Sequence, residues 1–195
     1  AADSPRAAVE KADIIMMCLF DAKAVEEVVF GAEGVAKAAG SGKVLVDHAS
    51  IRPDKTRDFA QRLKQANGME WIDAPVSGGV KGAGEGTLAI MCGGDAAAFE
   101  RAKPVLAAYG ANINLMGPSG AGQVTKLCNQ VIVGSNIAVI AEAVRLAQNA
   151  GVDATRLPQA LAGGWADSKP LQVFVQRMVQ GYDAPIGTSD TMLKD

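Results

Sequence analysis

Apolar positions along the chain form two kinds of pattern, short continuous runs and longer stretches with helical spacing. The continuous runs of strand length lie at residues 13–19, 43–49, 69–74, 87–94 and 112–117. Such runs indicate strands that are buried on both faces. Amphipathic stretches at residues 53–66 and 96–108 lie between strand runs and predict helices. Strands that alternate with helices predict right-handed crossovers and a largely parallel sheet.

The stretch DAPVSGGVKGAGEGTL, residues 73–88, interrupts this order because no helical pattern separates its flanking strands. We therefore expect a loop alone to join them. The stretch is rich in glycine, which loses more backbone freedom on folding than any other residue. Two explanations compete, a loose surface loop or a backbone that must approach a ligand closely. Ligands of open α/β sheets bind beyond the carboxyl ends of strands, and this stretch leaves such an end at Ala74.

Beyond residue 117 the pattern becomes helical throughout. The first helix of this part begins near Gly122 and is long enough for about eight turns. Its middle, residues 131–144, is apolar almost all round. Ser135 and Glu142 interrupt the apolar stretch before it reaches the roughly 20 residues that a membrane span needs. We predict an α/β domain followed by an all-helical domain on one long helix, which is buried between domains or subunits.

Composition agrees with the α/β prediction and excludes some partners. The chain has 195 residues, of which 49% are hydrophobic and 5% aromatic. This balance is typical of helix-rich α/β proteins rather than of β-sandwiches. A formal net charge of −2 gives no electrostatic reason to expect a nucleic acid or an anionic membrane as a partner.

The cysteines and the single histidine do not suggest a metal site. Cys18, Cys92 and Cys128 are far apart and have apolar neighbours, which favours buried free thiols in a reducing compartment. The chain start lacks the basic and then apolar pattern of a signal peptide, so we expect a cytoplasmic protein. His48 has no Cys or His cluster with which to bind a metal, and a structural role is favoured over catalysis.

Lys126 is the residue of the long helix that best suits acid–base chemistry. It lies about two turns from the amino end of the helix, and Asn129 and Gln130 follow at i+3 and i+4 on the same face. Desolvation and the positive end of the helix both lower a lysine pKa, which suits a proton carrier near neutral pH. The alternative is a lysine whose stem covers apolar surface while its ammonium group reaches water.

Two motifs carry a resemblance to a known family. DAPVSGGVKGAGEGTLAIMCGG followed by GPSGAGQVTKLCNQ resembles the β-hydroxyacid dehydrogenase family, which includes 3-hydroxyisobutyrate dehydrogenase and tartronate semialdehyde reductase. NQVIVGSNIAVIAEAV is most similar to the second of these branches. The resemblance implies an incomplete dinucleotide-binding, Rossmann-like domain at residues 1–117. It also implies a helical substrate and oligomerisation domain at residues 118–195.

The resemblance also implies roles for single residues. Ser77, Gly78 and Gly79 are expected to bind the carboxylate and hydroxyl end of the substrate. Lys126 matches the family's catalytic lysine, which exchanges a proton with the substrate oxygen. Asn129 is expected to orient the substrate hydroxyl, with Gln130 as the alternative.

The expected cofactor is NAD or NADP. By resemblance, Leu19 and Phe20 lie beside the cofactor ribose and phosphates, with Phe20 where the family has proline. Ser50 replaces a threonine near the nicotinamide, and Lys194 closes over the cofactor. No G-x-G-x-x-G precedes Asp13, so the family's first strand, first helix and second strand are expected to be missing. The choice between NAD and NADP cannot be predicted without them.

The sequence thus predicts an NAD(P)-dependent oxidoreductase that interconverts a small 3-hydroxy acid and its semialdehyde. The expected partners are a small carboxylate substrate and further copies of the chain, which associate through residues 131–144. One alternative is an enzyme like 6-phosphogluconate dehydrogenase, which would need more basic residues and a longer helical domain. Another is a non-catalytic binding module, but such relatives lose the lysine that this chain keeps at Lys126.

Overall fold

The structure, a computed structural model, describes residues 1–182. Its elements in chain order are α1 (Pro5–Val9), β1 (Ile14–Met17), α2 (Ala22–Phe30), β2 (Val44–Asp47), α3 (Pro53–Asn67), β3 (Glu70–Asp73), β4 (Val76–Ser77), α4 (Gly79–Gly84), β5 (Leu88–Cys92), α5 (Ala96–Leu106), β6 (Gly110–Leu115), α6 (Ala121–Asn149), α7 (Leu157–Leu161) and α8 (Lys169–Val179). Short 3₁₀ turns lie at Val35–Lys37 and Ala154–Arg156. Every strand run predicted from the sequence contains a strand.

The strands form two small sheets. The first has the order β1-β2-β3 and is parallel throughout. In the second, β4 pairs antiparallel with β5, and β5 pairs parallel with β6. An antiparallel bridge between Asp73 and Gly93 connects the two sheets. The α/β fold class with a largely parallel sheet is therefore confirmed.

Helices cover both faces of the first sheet, as a parallel sheet requires. On one face, α3 supplies Phe59 and Leu63, which pack with Trp71 of β3 in one core cluster. On the other face, α5 packs in a second cluster that contains Val44 and Ile72. The central strand β2 is buried at all four positions. In β1 the burial alternates instead, because β1 is the edge strand of the described sheet and pairs with β2 alone.

The described chain divides into two compact units, residues 1–127 and residues 128–182, with the boundary inside α6. The second unit has its own small core, in which α6 packs with the 3₁₀ turn at Ala154–Arg156 and with α8. Its buried members are Ile140, Val144, Ala147, Ala154, Leu171 and Val175.

The middle of α6, predicted to be buried between domains or subunits, is exposed in the single chain. Val131, Ile132 and Val139 are 68%, 61% and 67% exposed. Among residues 1–182, the core residues that α6 contributes to the second unit lie between Ile140 and Ala147, and these three apolar side chains precede them on the helix. Among residues 1–182, α6 also has the length and composition of a membrane-spanning helix, a test that long apolar helices of globular proteins meet as well.

The prediction of three buried thiols is also corrected. All three cysteines are free, but Cys18 and Cys128 are exposed and only Cys92 is buried. Cys18 follows the edge strand β1 and Cys128 lies on the largely uncovered part of α6. Burial raises the pKa of the Cys92 thiol to about 12, so this thiol stays protonated and packs as a small apolar side chain.

Candidate active site

The parallel first sheet brings three chain segments to one edge. Because β1, β2 and β3 run in the same direction, the segments that follow them leave the same carboxyl edge. Leu19 and Phe20 follow β1, Ser50 follows β2, and Ser77 follows β3. Small ligands of open α/β sheets bind beyond this edge. Leu19 is partly buried, whereas the Phe20 ring is 67% exposed.

The carboxylate of Asp73 holds the beginning of α6. Its Oδ1 accepts a hydrogen bond from the backbone N–H of Gly120 at 2.7 Å, and its Oδ2 accepts from Gln123 at 3.0 Å. These are N–H groups that a helix leaves unpaired at its amino end, where a negative charge is also favourable. Asp73 is fully buried, and burial raises its pKa while the backbone hydrogen bonds lower it.

Two glycines make this close approach possible. A Cβ atom on Gly122 would lie 2.8 Å from both the backbone oxygen and Oδ2 of Asp73. A Cβ atom on Gly93 would lie 2.7 Å from Asp73 Oδ1 and equally close to the backbone nitrogen of Gly122. Such distances are too short for a carbon atom, so α6 can begin against β3 and β5 only where side chains are absent.

Lys126 points from α6 towards the glycine-rich stretch. It is partly buried, and its Nζ donates a hydrogen bond to the backbone oxygen of Val76 at 2.9 Å. Val76 directly precedes Ser77, so the ammonium group lies at the segment predicted to bind substrate. Two interpretations of Lys126 were given above, a proton carrier at the site and a lysine whose ammonium group reaches water. This contact favours the first.

The glycine-rich stretch is more ordered than the sequence predicts. Its beginning forms β4, in which Val76 and Ser77 pair with Ile90 and Ala89 of β5, and the helix α4 follows. The prediction that a loop alone joins the flanking strands is therefore wrong. β4 is too short for a pattern of apolar positions to reveal it, and α4 is built on glycines that have little helix propensity.

The backbone at Gly78 and Gly79 takes conformations that side chains disfavour. Their φ angles are +134° and +63°, values that glycine adopts without a steric penalty. A Cβ atom on Gly79 would meet nothing within 4 Å, whereas one on Gly78 would lie 3.1 Å from a side-chain carbon of Leu88. The space beside Gly79 is thus open for a small ligand.

The segment after β2 is fastened to α6 by the side chain of Gln123. Gln123 Nε2 donates to the backbone oxygen of Ala49 at 2.7 Å, and the backbone N–H of Ile51 donates to Gln123 Oε1 at 3.3 Å. Ser50 lies between these two residues. The first turn of α6 therefore contacts both the segment that contains Ser50 and the strand that leads to Ser77.

A second buried carboxylate supports the same segment. Asp47 Oδ1 accepts a hydrogen bond from the backbone N–H of Ala49 at 2.9 Å, whereas its Oδ2 has no hydrogen-bond partner among the described residues. The pKa of Asp47 is raised to about 7, because burial and the neighbouring Asp73 raise it by more than the hydrogen bond from Ala49 lowers it. Asp47 therefore changes charge close to neutral pH.

His48 has structural contacts on both sides of its ring. Its Nδ1 lies 2.6 Å from the backbone oxygen of Ala74, and its Nε2 lies 2.8 Å from the Tyr109 hydroxyl. A carbonyl only accepts, so Nδ1 carries the proton and Nε2 of the neutral ring accepts from tyrosine. Burial lowers the pKa of His48 and raises that of Tyr109 to about 12, which favours this arrangement and agrees with the structural role expected for His48.

The remaining predicted residues lie elsewhere in the chain. Asn129 and Gln130 belong to the second compact unit, and Asn129 Nδ2 donates to Gln130 Oε1 at 3.1 Å. Lys194 lies outside the described residues. Within residues 1–182, no group of three or more His, Cys, Asp or Glu side chains is arranged to hold a metal ion.

Sequence reasoning missed Asp73 and Gln123. The signal available for Asp73 was an acidic residue at the end of a buried strand, immediately before the glycine-rich stretch. For Gln123 it was a polar residue in the first turn of a mostly apolar helix, three positions before Lys126. Neither signal names a partner, because both sets of contacts join segments about 50 or more positions apart in the sequence.

Family profiles account for nearly the whole chain. The profile of the NAD binding domain of 6-phosphogluconate dehydrogenase matches residues 1–117. A second profile, described as NAD-binding of NADP-dependent 3-hydroxyisobutyrate dehydrogenase, matches residues 120–195. The chain belongs to the β-hydroxyacid dehydrogenase family. These matches confirm the resemblance drawn from the two sequence motifs. The cofactor of this chain is NAD or NADP.

Named relatives support the same membership. 2-Hydroxy-3-oxopropionate reductase of Escherichia coli (strain K12) is 47% identical over 178 residues, which are 91% of this chain and 61% of the relative. 3-Hydroxyisobutyrate dehydrogenase of Pseudomonas aeruginosa is 38% identical over 169 residues, or 85% of this chain and 56% of the relative. A crystal structure of 3-hydroxyisobutyrate dehydrogenase from Salmonella typhimurium has a TM-score of 0.83 at 30% identity, covering 100% of this chain and 67% of its own. The chain thus spans about three fifths of the length of the two curated relatives.

Proposed function

We propose that this protein is an NAD(P)-dependent oxidoreductase that interconverts a small 3-hydroxy acid and its semialdehyde. The observation that carries the proposal is the contact of Lys126 Nζ with the Val76 oxygen at 2.9 Å. It holds the ammonium group beside Ser77, at the carboxyl edge of a parallel sheet. Relatives whose names describe a 3-oxo acid reductase and 3-hydroxy acid dehydrogenases support the same class of reaction.

Ser77, Gly78 and Gly79 bind the carboxylate end of the substrate in this proposal. A hydroxyl group and closely spaced backbone N–H groups form a concavity that suits an anion. The open space beside Gly79 and its left-handed backbone support this assignment. The carboxylate would fix the substrate so that its reacting carbon faces Lys126.

Lys126 is the proton carrier. In the reductive direction its ammonium group donates a proton to the carbonyl oxygen as negative charge develops there. In the oxidative direction its neutral amine accepts the proton of the substrate hydroxyl. Asn129, which follows Lys126 by three positions on α6, orients that hydroxyl in the proposal.

The segments after β1 and β2 suit a dinucleotide. Leu19, the exposed Phe20 and Ser50 lie at the carboxyl edge where dinucleotides bind in such sheets, and we assign them to the cofactor together with Lys194. When bound, the nicotinamide supplies the hydride for reduction or accepts it in oxidation.

Among β-hydroxyacid dehydrogenases we favour the tartronate semialdehyde reductase type, because the reductase of the corresponding oxo acid is 47% identical to this chain. The profile match at residues 1–117 names 6-phosphogluconate dehydrogenase, but that at residues 120–195 names a 3-hydroxyisobutyrate dehydrogenase. Retention of Lys126 disfavours a binding module without catalysis.

Two further features bear on location and assembly. Free thiols favour a cytoplasmic location, and the exposed apolar side chains of α6 favour a homo-oligomer.

The test is a substrate panel with purified full-length protein. Small 3-oxo acids are offered with NADH or NADPH, small 3-hydroxy acids with NAD or NADP, and 6-phosphogluconate serves as the competing substrate. We expect turnover of a three- or four-carbon acid and none of 6-phosphogluconate. Oxidation of 6-phosphogluconate alone would contradict the proposal, and so would cofactor binding without turnover of any acid.

A further inference from the structure

The buried amide of Gln123 makes a matched pair of hydrogen bonds with one short segment. Gln123 is 2% exposed, and its partners Ala49 and Ile51 are 2% and 8% exposed. The Ala49 carbonyl can only accept and the Ile51 N–H can only donate, so their positions fix the orientation of the amide. An apolar side chain could fill this space but would leave both backbone groups buried without a partner.

The same helical turn is fixed a second time through its backbone. The Gln123 N–H donates to Asp73 Oδ2 at 3.0 Å, and that of Gly120 donates to Oδ1 at 2.7 Å. Asp73 ends β3, the strand that leads to Ser77. Gln123 therefore contacts the segment after β2 through its side chain and the end of β3 through its backbone.

Lys126 lies three residues after Gln123, on the same side of α6. A packed helix moves as a unit over one turn, because each residue is bonded to the turn before it. A change in the distance between Gln123 and residues 49–51 would therefore change the position of Lys126 relative to Ser50.

We infer that Gln123 is a positioning residue that sets the distance between the Lys126 ammonium group and the segment that contains Ser50. The inference rests on the proposed function, in which Lys126 carries the proton and Ser50 lies at the cofactor. Gln123 acts through the backbone of residues 49–51, to which its side-chain amide is bonded. Misplacement of reacting groups by about 1 Å can reduce a rate about 100-fold, so one amide can have a large effect.

The test is Gln123→Met in the full-length protein, with Thr125→Val as the matched control. Methionine has nearly the same length and removes both side-chain hydrogen bonds. Thr125 lies beside Lys126 on the same helix, and its hydroxyl donates a hydrogen bond to the Ala121 carbonyl within that helix. Both variants alter one polar group near Lys126, but only the first alters the connection to residues 49–51.

For Gln123→Met we expect kcat to fall about 10- to 100-fold, while the dissociation constant of the substrate changes less than about threefold. The protein without cofactor should show faster hydrogen exchange at the Ile51 amide, which reports the lost bond independently of turnover. Thr125→Val should match the parent in both measurements. A kcat of Gln123→Met within about threefold of the parent, with faster Ile51 exchange, would show a merely structural role and overturn the inference.

Gln123→Glu provides a second test that does not depend on the folding of the methionine variant. A protonated carboxyl can donate to Ala49 and accept from Ile51, whereas an ionised one can only accept. The titratable groups on the elements packed against it are Asp47 at the end of β2, His48 directly after β2, Asp73 at the end of β3, and Lys126 on its own helix. Burial and the two carboxylates disfavour ionisation. We expect kcat of this variant to stay close to that of the parent while the new carboxyl is protonated, and to fall relative to the parent where rising pH ionises it. A low kcat with the carboxyl protonated would contradict the inference, and so would ionisation of the carboxyl without a loss of kcat.

Lys126→Met separates this inference from the proposed function. If Lys126→Met loses turnover and both Gln123 variants keep it, the inference fails and the proposed function stands. If Lys126→Met turns over normally, the proposed function fails, and the inference fails with it.

Discussion

Lys126 Nζ and the backbone oxygen of Val76 lie 2.9 Å apart, so a side chain of α6 is held by a strand 50 positions earlier in the chain. Val76 is fixed in turn by its antiparallel pairing with Ile90. The ammonium group is therefore held by a backbone atom of the sheet. This is the kind of preorganisation that proton transfer at a bound substrate requires.

Replacement of Lys126 is the first prediction. Lys126→Met keeps the unbranched apolar stem and removes the ammonium group, so kcat should fall by about 10²–10⁴-fold with little change in cofactor affinity. Lys126→Arg should fail as well, because guanidinium is larger and its high pKa prevents it from exchanging protons near neutral pH. Steady-state kinetics and a cofactor titration measure both effects.

The control for these variants is Lys81→Met. Lys81 lies on α4, in the same glycine-rich stretch, and its side chain is 85% exposed. The Lys81→Met variant should therefore have the same kcat as the parent. If Lys126→Met also stays within about threefold of the parent, where a loss of at least 10²-fold is expected, the catalytic assignment is wrong.

The second prediction concerns substrate binding at β4. Ser77→Ala should raise KM more than it lowers kcat, because a hydroxyl that binds the end remote from the reaction contributes equally to ground and transition states. Gly79→Val should be worse. Its φ of +63° is unfavourable for a β-branched residue, and the side chain would enter the space assigned to the ligand.

Val80→Ala serves as the control for the β4 variants, since Val80 is adjacent to Gly79 and 92% exposed. It should change neither KM nor kcat. Parental KM values in both Ser77→Ala and Gly79→Val would mean that this stretch only connects β3 to β5.

Asp47 gives a prediction for stability against pH. The pKa of Asp47 is about 7 in the folded protein, above the ordinary value of 3.8, so the folded protein binds the Asp47 proton more tightly than the unfolded chain does. The favourable contribution of this proton to the free energy of unfolding is complete below about pH 4 and is lost as pH rises through 7. Asp47→Asn removes this titration. The variant should therefore gain stability relative to the parent between about pH 4 and pH 8, by an amount on the order of 3–4 kcal/mol.

Urea unfolding of both full-length proteins across this pH range measures the difference. Asp73 remains in both proteins, and because the two carboxylates interact, the measured difference reports the titration of the pair. Asp58→Asn, at a side chain that is 50% exposed on α3, is the control and should show a much smaller dependence. A constant difference between the Asp47 variant and the parent would contradict the argument.

Self-association through α6 is the last prediction. Val131, Ile132 and Val139 are each more than half exposed, and exposed apolar patches of this kind mark interfaces. Sedimentation should show a discrete oligomer, and Ile132→Glu should dissociate it because a carboxylate would be buried at the contact. Val152→Glu, at an exposed valine beyond the end of α6, should not. A parent protein that sediments as a monomer at micromolar concentration would contradict the prediction.

Short-range patterns explain which parts of the fold could be predicted. Residues 44–47 form a continuous apolar run closed by aspartate. α3 begins at Pro53 and ends at Asn67, directly before the left-handed Gly68, so both elements were predicted from local signals. β4 was missed because two residues carry no periodicity. The apolar middle of α6 was predicted as a contact with a domain or a further copy of the chain, but an apolar sequence does not say which of these covers it.

The residues of the candidate site also differ in whether the sequence could reveal them. Lys126 and Ser77 could be proposed from chemistry and from resemblance, because each lies in a distinctive stretch of sequence. Asp73 and Gln123 could not, because their roles depend on hydrogen bonds to backbone groups. Any residue has such backbone groups, so nothing in the sequence distinguishes the partners before the fold brings them together.

The crowding around Gly93 and Gly122 has a consequence for laboratory evolution. At both positions even a methyl group would overlap backbone or carboxylate atoms, so randomised libraries there should yield almost no folded clones. Gly79 has free space, and its left-handed backbone favours asparagine and aspartate among the alternatives. A search for altered substrate range should therefore diversify Gly79 with a short polar alphabet and leave the two crowded glycines unchanged.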